Sequence, residues 1–121
     1  MDYEEHFAKE ELHEFKIGGD FAYKPVMAGQ ENDWANEYLE IDKETGKYKE
    51  NIAKLNKCKM RNLMKVPYGK ELIKEKIGKS KEWSELNHLE RWELLRKLTP
   101  AIFTQIINEI NKADRPTEKK T

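Results

Sequence analysis

The chain has 121 residues, 37% apolar and 38% charged, with lysine plus arginine and aspartate plus glutamate balanced at 23 each. That length predicts one domain able to bury a core unaided, and the apolar clusters are too regular for intrinsic disorder. No apolar run nears the ~20 residues of a membrane span, Cys58 has no second cysteine to pair with, and the acidic start MDYEEHFAKEE lacks the layout of a secretory signal. A soluble protein of a reducing compartment, the cytoplasm, is expected.

The zero net charge hides an uneven layout. Residues 1–45 hold 4 basic and 13 acidic side chains, a net of −9, whereas residues 46–81 hold 12 basic and 3 acidic, a net of +9. Residues 82–121 balance at 7 and 7. The first two blocks either neutralise each other within the fold or occupy separate faces. Separate faces would let one copy's acidic side meet another's basic side, a head-to-tail contact. A basic block also raises nucleic acid as a partner, although a neighbouring −9 would repel phosphate.

Residues 1–12 carry Phe7 and Leu12 at loose spacing, compatible with a short helix or a frayed arm. FKIGGDFAYKP (residues 15–25) reads as the heart of a β-hairpin over about 13–26. A three-residue loop, Gly18-Gly19-Asp20, pairs Ile17 with Phe21 and Phe15 with Tyr23 and gathers all four on one face. It also sets Glu14 opposite Lys24, and Pro25 ends the second strand or confines it to an edge.

Residues 31–39 are compatible with a helix presenting Trp34 and Tyr38 at i, i+4, and DKETGK (residues 42–47) reads as a turn around Gly46. From Tyr48 to Val66 the spacing predicts a helix with Ile52, Leu55, Leu63 and Val66 inward and Lys54, Lys57, Arg61 and Lys65 as a basic stripe. Pro67 stops it. A short helix carrying Leu72, Ile73 and Ile77 follows, with Gly78 as its cap. Asn87 and Glu90 resemble a capping box before a helix bearing Trp92, Leu95 and Leu98. Thr99-Pro100 starts the last helix, with Ile102, Ile106 and Ile110 on one ridge. The tail, residues 113–121, is polar and expected to be disordered.

Catalytic motifs do not survive inspection. Gly78-Lys79-Ser80 ends like a phosphate-binding P-loop, but Ile73 stands where the motif needs a glycine, and a helix precedes it instead of a strand. Asp42 to Gly46 starts like a calcium loop, but its glycine falls one position early and Ala53 occupies the place of the bidentate glutamate. His6, His13, His88 and Cys58 show no metal-ligand spacing. Serine is scarce, and no carboxylate pair stands out for acid–base work. Neither an enzyme nor a cofactor or metal is expected. Of the tryptophans, Trp92 lies on an apolar helix face, while Trp83 reads as a cap over the core or an interface anchor.

IGGDFAYKPVMAG (residues 17–29), followed by an acidic segment with Trp34, resembles the start of small tail-morphogenesis proteins of tailed phages and prophages. The resemblance covers the hairpin region and only loosely the helical remainder. It implies a chaperone or structural part that self-assembles or binds another virion protein, located in the host cytoplasm or on the virion. The expectation is therefore a mainly α fold with a small N-terminal β-hairpin (α+β), its three to four short helices bundled over about 47–112, within one domain spanning 1–112. Phe21, Tyr23 and Trp34 on the hairpin side, with Lys57, Arg61 and Lys65 on the basic helix, are the expected partner-binding residues, and no membrane is involved. The alternative is a small nucleic-acid-binding regulator using the basic helix face.

Overall fold

Phe15, Phe21 and Tyr23 are all buried, as expected of one face of a pleated pair, but the strands that carry them do not stand as a separate hairpin. The computed structural model describes residues 3–8 and 10–114. Those residues form a mixed α+β fold with five α-helices and two antiparallel sheets. In the first sheet β1 (His13–Lys16) pairs with β2 (Asp20–Tyr23), and a third strand, Leu63–Lys65, pairs with the other side of β2. The expected two-stranded hairpin leaning on a three- or four-helix bundle is thus replaced by a three-stranded sheet with β2 at its centre.

The register also differs from expectation. Phe15 lies opposite Phe21 and His13 opposite Tyr23, so the loop is Ile17-Gly18-Gly19 and Glu14 faces Ala22 instead of Lys24. Relative to the expected pairing this is a slip of two residues. A slip of two keeps every side chain on its face, whereas a slip of one would have turned the aromatics outward. The Phe15 and Phe21 rings stack 5.1 Å apart, and Phe21 meets Tyr68 edge-on at 5.9 Å.

Helix α1 (Ala28–Tyr38) buries Trp34 and Tyr38 against Leu55 and Cys58, forming a small second cluster beside the main core. The chain then makes a separate two-stranded ribbon, β3 (Leu39–Ile41) and β4 (Tyr48–Glu50), around a turn in which Gly46 takes φ 69°. That backbone region favours glycine.

The helix expected from Tyr48 to Val66 is broken into four pieces. After β4, the Asn51 side chain caps α2 (Ile52–Lys59) by accepting from the Lys54 amide at 3.1 Å. A 3-10 turn over Met60–Asn62 follows, and then β5 (Leu63–Lys65). Asn62 supplies the reason. Its carbonyl accepts from the Lys24 amide at 2.9 Å, and its side chain exchanges hydrogen bonds with Gln30 and donates to the Lys24 carbonyl. These bonds hold the chain against the end of β2, so the backbone leaves the helix to pair there. Leu63 becomes fully buried, while a bulge between the pairs Ala22–Lys65 and Tyr23–Leu63 leaves Met64 facing out.

Helix α3 (Lys70–Ile77) ends at Gly78, whose φ of 70° gives the left-handed cap. Trp83 is buried, its Nε1 donating to the Leu63 carbonyl at 2.9 Å, so it caps the core over β5. Asn87 and Glu90 form a reciprocal capping box before α4 (His88–Leu95). In α5 (Pro100–Asp114), Ile106 and Ile110 are completely buried beneath the sheet's aromatic face. This helix runs two residues past the expected boundary at 112, so Ala113 and Asp114 belong to it. The rest of the expected tail, 115–121, lies outside the described residues.

Candidate interaction surfaces

The side chains expected to meet a partner separate into three groups. Phe21, Tyr23 and Trp34 are 1%, 0% and 7% exposed, so they are core and present no face to a partner. Lys65 sits exposed on β5, where it lines a shallow groove of about 250 Å³ with Tyr68, Lys70 and Trp83. Lys57 and Arg61 do come together, beside the start of α4. The continuous basic helix face is therefore absent, because β5 removes Lys65 from the helix.

The edges of the first sheet are poorly suited to a partner strand. β5 occupies one side of β2, leaving the outer side of β1 as the hairpin's unpaired edge. Glu14 and Lys16 are exposed there. Charged side chains on an edge strand discourage addition of another strand. On β5 the bulge and the Trp83 and Arg91 bonds to the Leu63 carbonyl act the same way.

The acidic and basic blocks meet inside one chain. Arg61 grips Glu37 of α1 with both arms, Nη1 to Oε2 at 2.8 Å, and Lys54 reaches Glu40 of β3 at 3.1 Å. A third basic-block side chain, Lys59, is met instead by Asp114 of the neutral block, at 3.1 Å. The bond from Arg61 holds the Glu37 carboxyl below its usual range, with His88 and Lys57 adding to the effect, and Glu37 in turn raises Arg61.

Two features remain that spacing did not announce. The first is the β3–β4 ribbon. Ile41 and Tyr48 are register partners and stand 60% and 70% exposed, with Ile52 58% exposed at the start of α2. Glu40, next along β3, accepts from Asn51 Nδ2 at 2.9 Å and from Lys54, pinning the ribbon to α2. Those two bonds lower the Glu40 carboxyl, Asn51 having the larger effect. Three-residue strands are too short for alternation to be read against helical spacing, and Tyr48 falls inside the expected helix.

The second is a narrow cleft between α2 and α4 lined by Lys57, Met60, Arg61, His88, Arg91 and Trp92. Lys57 Nζ lies 5.4 Å from the centre of the Trp92 ring. Arg91 lies over Trp83 at 4.8 Å and donates to the Trp83 carbonyl through Nε and Nη2, at 3.2 and 3.1 Å. Burial lowers its pKa. His88 and Arg91 share a face of α4 at i, i+3, but nothing in the sequence ties that helix to Lys57 and Arg61.

Among the described residues no group of three or more metal-ligating side chains gathers, and no helix is long and apolar enough to cross a membrane. No family model matches the chain, and neither curated proteins nor solved structures give a match.

Proposed function

We propose that the chain is a non-enzymatic assembly or structural protein of phage or prophage origin, acting through protein–protein contacts. The observation that carries this reading is the Ile41–Tyr48 pair, two large apolar side chains standing 60% and 70% exposed on a ribbon of only two strands. Two strands alone are marginal in water, and an exposed apolar pair is better accounted for by a partner than by solvent. The phage origin is supported by the resemblance of residues 17–29 and by nothing else.

Charge favours a second copy of the chain as that partner. β3 and the turn after it carry Glu40, Asp42 and Glu44 against one lysine, Lys43, while β4 and the residue before it carry Lys47 and Lys49 against Glu50. Laying β3 of one copy beside β4 of the next repeats the Glu40–Lys49 and Ile41–Tyr48 pairings found within the chain. Such a contact is head-to-tail, so it builds rings or filaments.

Light scattering behind size exclusion, at ~50 and ~500 mM salt, tests this, because the screening length changes severalfold between them. The expected result is a mass above the 14.4 kDa monomer that rises with protein concentration. It should fall to the monomer in the double variant Ile41→Ser, Tyr48→Ser. A monomer at both salts and at all concentrations would overturn self-assembly.

A further inference from the structure

Four cationic or protonatable side chains, Lys57, Arg61, His88 and Arg91, converge on the cleft between α2 and α4. One carboxylate, Glu37, answers them, and its two hydrogen bonds go to Arg61. Lys57, His88 and Arg91 have no ion-pair partner among the described residues: Lys57 lies over the Trp92 ring, and Arg91 spends its donors on the carbonyls of Trp83 and Leu63. Arg91 is half-buried, so its charge is held in a partly desolvated place without an opposite charge against it. A half-buried guanidinium without a carboxylate partner costs more than an exposed one, and an anion at the cleft mouth would remove that cost.

We propose that this cleft is a binding site for a phosphate group. The class follows from the donors. The Arg61 fork, which already holds a carboxylate in Glu37, matches a tetrahedral oxyanion in the same paired way once Glu37 gives way. Lys57 adds a compact charge, while Arg91, its own donors engaged, adds only its field. The cavity itself holds only about 10 Å³. That is room for about one water-sized group, so one oxygen of the phosphate enters while the remainder stays at the mouth. An inserted side chain or a flat nucleobase is excluded by the same volume. Glu37 is the internal competitor, because its carboxylate already occupies both arms of Arg61.

The site does not depend on the assembly reading, and its phosphate comes either from the backbone of a nucleic acid or from a free phosphate. The experiment follows the side-chain N–H signals of Arg61 and Arg91 and the ring of His88 by NMR at constant ionic strength. One titration uses inorganic phosphate against a chloride control, and another uses a single-stranded oligonucleotide. Saturable shifts confined to the cleft are expected with phosphate and not with chloride. Lys57→Gln, at a side chain whose contact is the face of Trp92, should weaken binding severalfold. Glu37→Gln, at an exposed position, should tighten it severalfold, a gain that a merely structural role for these residues does not produce.

If the oligonucleotide saturates the same signals at much lower concentration and phosphate competes it away, the group belongs to a nucleic acid. If only inorganic phosphate acts, the ligand is a free phosphate. Shifts that track chloride equally, or that ignore both substitutions, overturn the proposal.

Discussion

The Tyr23 hydroxyl donates to Asp114 Oδ2 at 2.8 Å, joining the middle strand of the sheet to the last turn of α5. The other carboxylate oxygen accepts from the Val26 amide at 2.9 Å, and Lys59 stands 3.1 Å from the first. Both charged side chains are nearly enclosed, Lys59 at 13% and Asp114 at 10% exposure. Residues 91 positions apart in sequence are thus held by one acidic group, which also receives the chain just after β2.

Removing that acid should be severe. Asp114→Ala leaves the nearly enclosed Lys59 ammonium with only Asn111 Oδ1, at 3.4 Å, and the Tyr23 hydroxyl and Val26 amide without their acceptor. A cost of about 3–5 kcal/mol is expected from losing one partner of a buried ion pair. Tyr23→Phe removes only the hydroxyl and should cost about 1–2 kcal/mol. Urea unfolding at neutral pH measures both. Equal, small effects below ~0.5 kcal/mol, the ordinary size for surface changes, would show that the contact is not structural.

The same pair bears on stability at alkaline pH. Burial, reinforced by the Asp114 charge, pushes the Tyr23 phenol far above its usual range. Unfolding frees the phenol to ionise, so above the unfolded value of about 10 the unfolded chain binds fewer protons and stability falls as pH rises. Burial pushes Tyr38 and Tyr68 in the same direction. The stability of the wild type should therefore drop between pH 9 and 11, and the drop should shrink in Tyr23→Phe. Unfolding midpoints across that window decide it, and an undiminished slope in the variant would count against this assignment.

This hub explains much of what sequence could and could not convey. Thr99-Pro100 and the Ile106–Ile110 spacing announce α5, because caps and helical periodicity are local. The buried face of the sheet was legible too, since alternation fixes which aromatics share a side. Register was not, as a slip of two residues preserves every face. β5 was hidden because Leu63 and Val66 fit a helical period as well as a strand, and only pairing with β2 decides between them. Of the cationic cleft, Lys57 and Arg61 were legible at i, i+4. His88 and Arg91 arrive from another helix by tertiary packing alone.

The Glu37–Arg61 pair offers an acid-side prediction. Arg61 lowers the Glu37 carboxyl, so the pair stabilises the fold above the unfolded carboxylate value. That contribution fades as pH falls through the lowered folded value. Glu37 is about half exposed, so screening limits the pair to about 0.5–1 kcal/mol. A double-mutant cycle of Glu37→Gln and Arg61→Gln should return that coupling at pH 7 and progressively less of it as pH falls below the unfolded carboxylate value of about 4.3. Coupling that persists undiminished in acid would mean that the contact is not ionic.

Helix α4 rests on its capping box, in which Asn87 Oδ1 accepts from the Glu90 amide at 2.8 Å and the Glu90 side chain accepts from the Asn87 amide at 3.0 Å. Asn87→Ala should cost about 1 kcal/mol, while Asn87→Gly should cost only a few tenths. Because α4 carries His88 and Arg91, fraying of its first turn should also enlarge the hydrogen exchange of the amides of residues 88–91. Unfolding midpoints and exchange rates read the two effects separately, and identical behaviour of the Ala and Gly variants would contradict a capping role.

Gly18 and Gly19 stand side by side in the first turn for different reasons. Gly18 takes φ 67° with nothing within 4 Å of a notional Cβ, so its constraint is backbone conformation alone. Gly18→Ala should cost about 1 kcal/mol, the penalty of placing an L side chain in the left-handed region. At Gly19 a Cβ would lie 2.4 Å from Pro67 Cβ and 2.9 Å from its Cγ, so an added methyl collides with a rigid ring just beyond β5. Gly19→Ala should cost about 1–3 kcal/mol as overpacking. In a Pro67→Gly background the colliding atoms are gone, and Gly19→Ala should then cost little, whereas Gly18→Ala should cost the same in both backgrounds. Such a cycle isolates the contact between the two residues. A Gly19→Ala penalty unchanged by Pro67→Gly would place the strain in the turn itself and not in its approach to the proline.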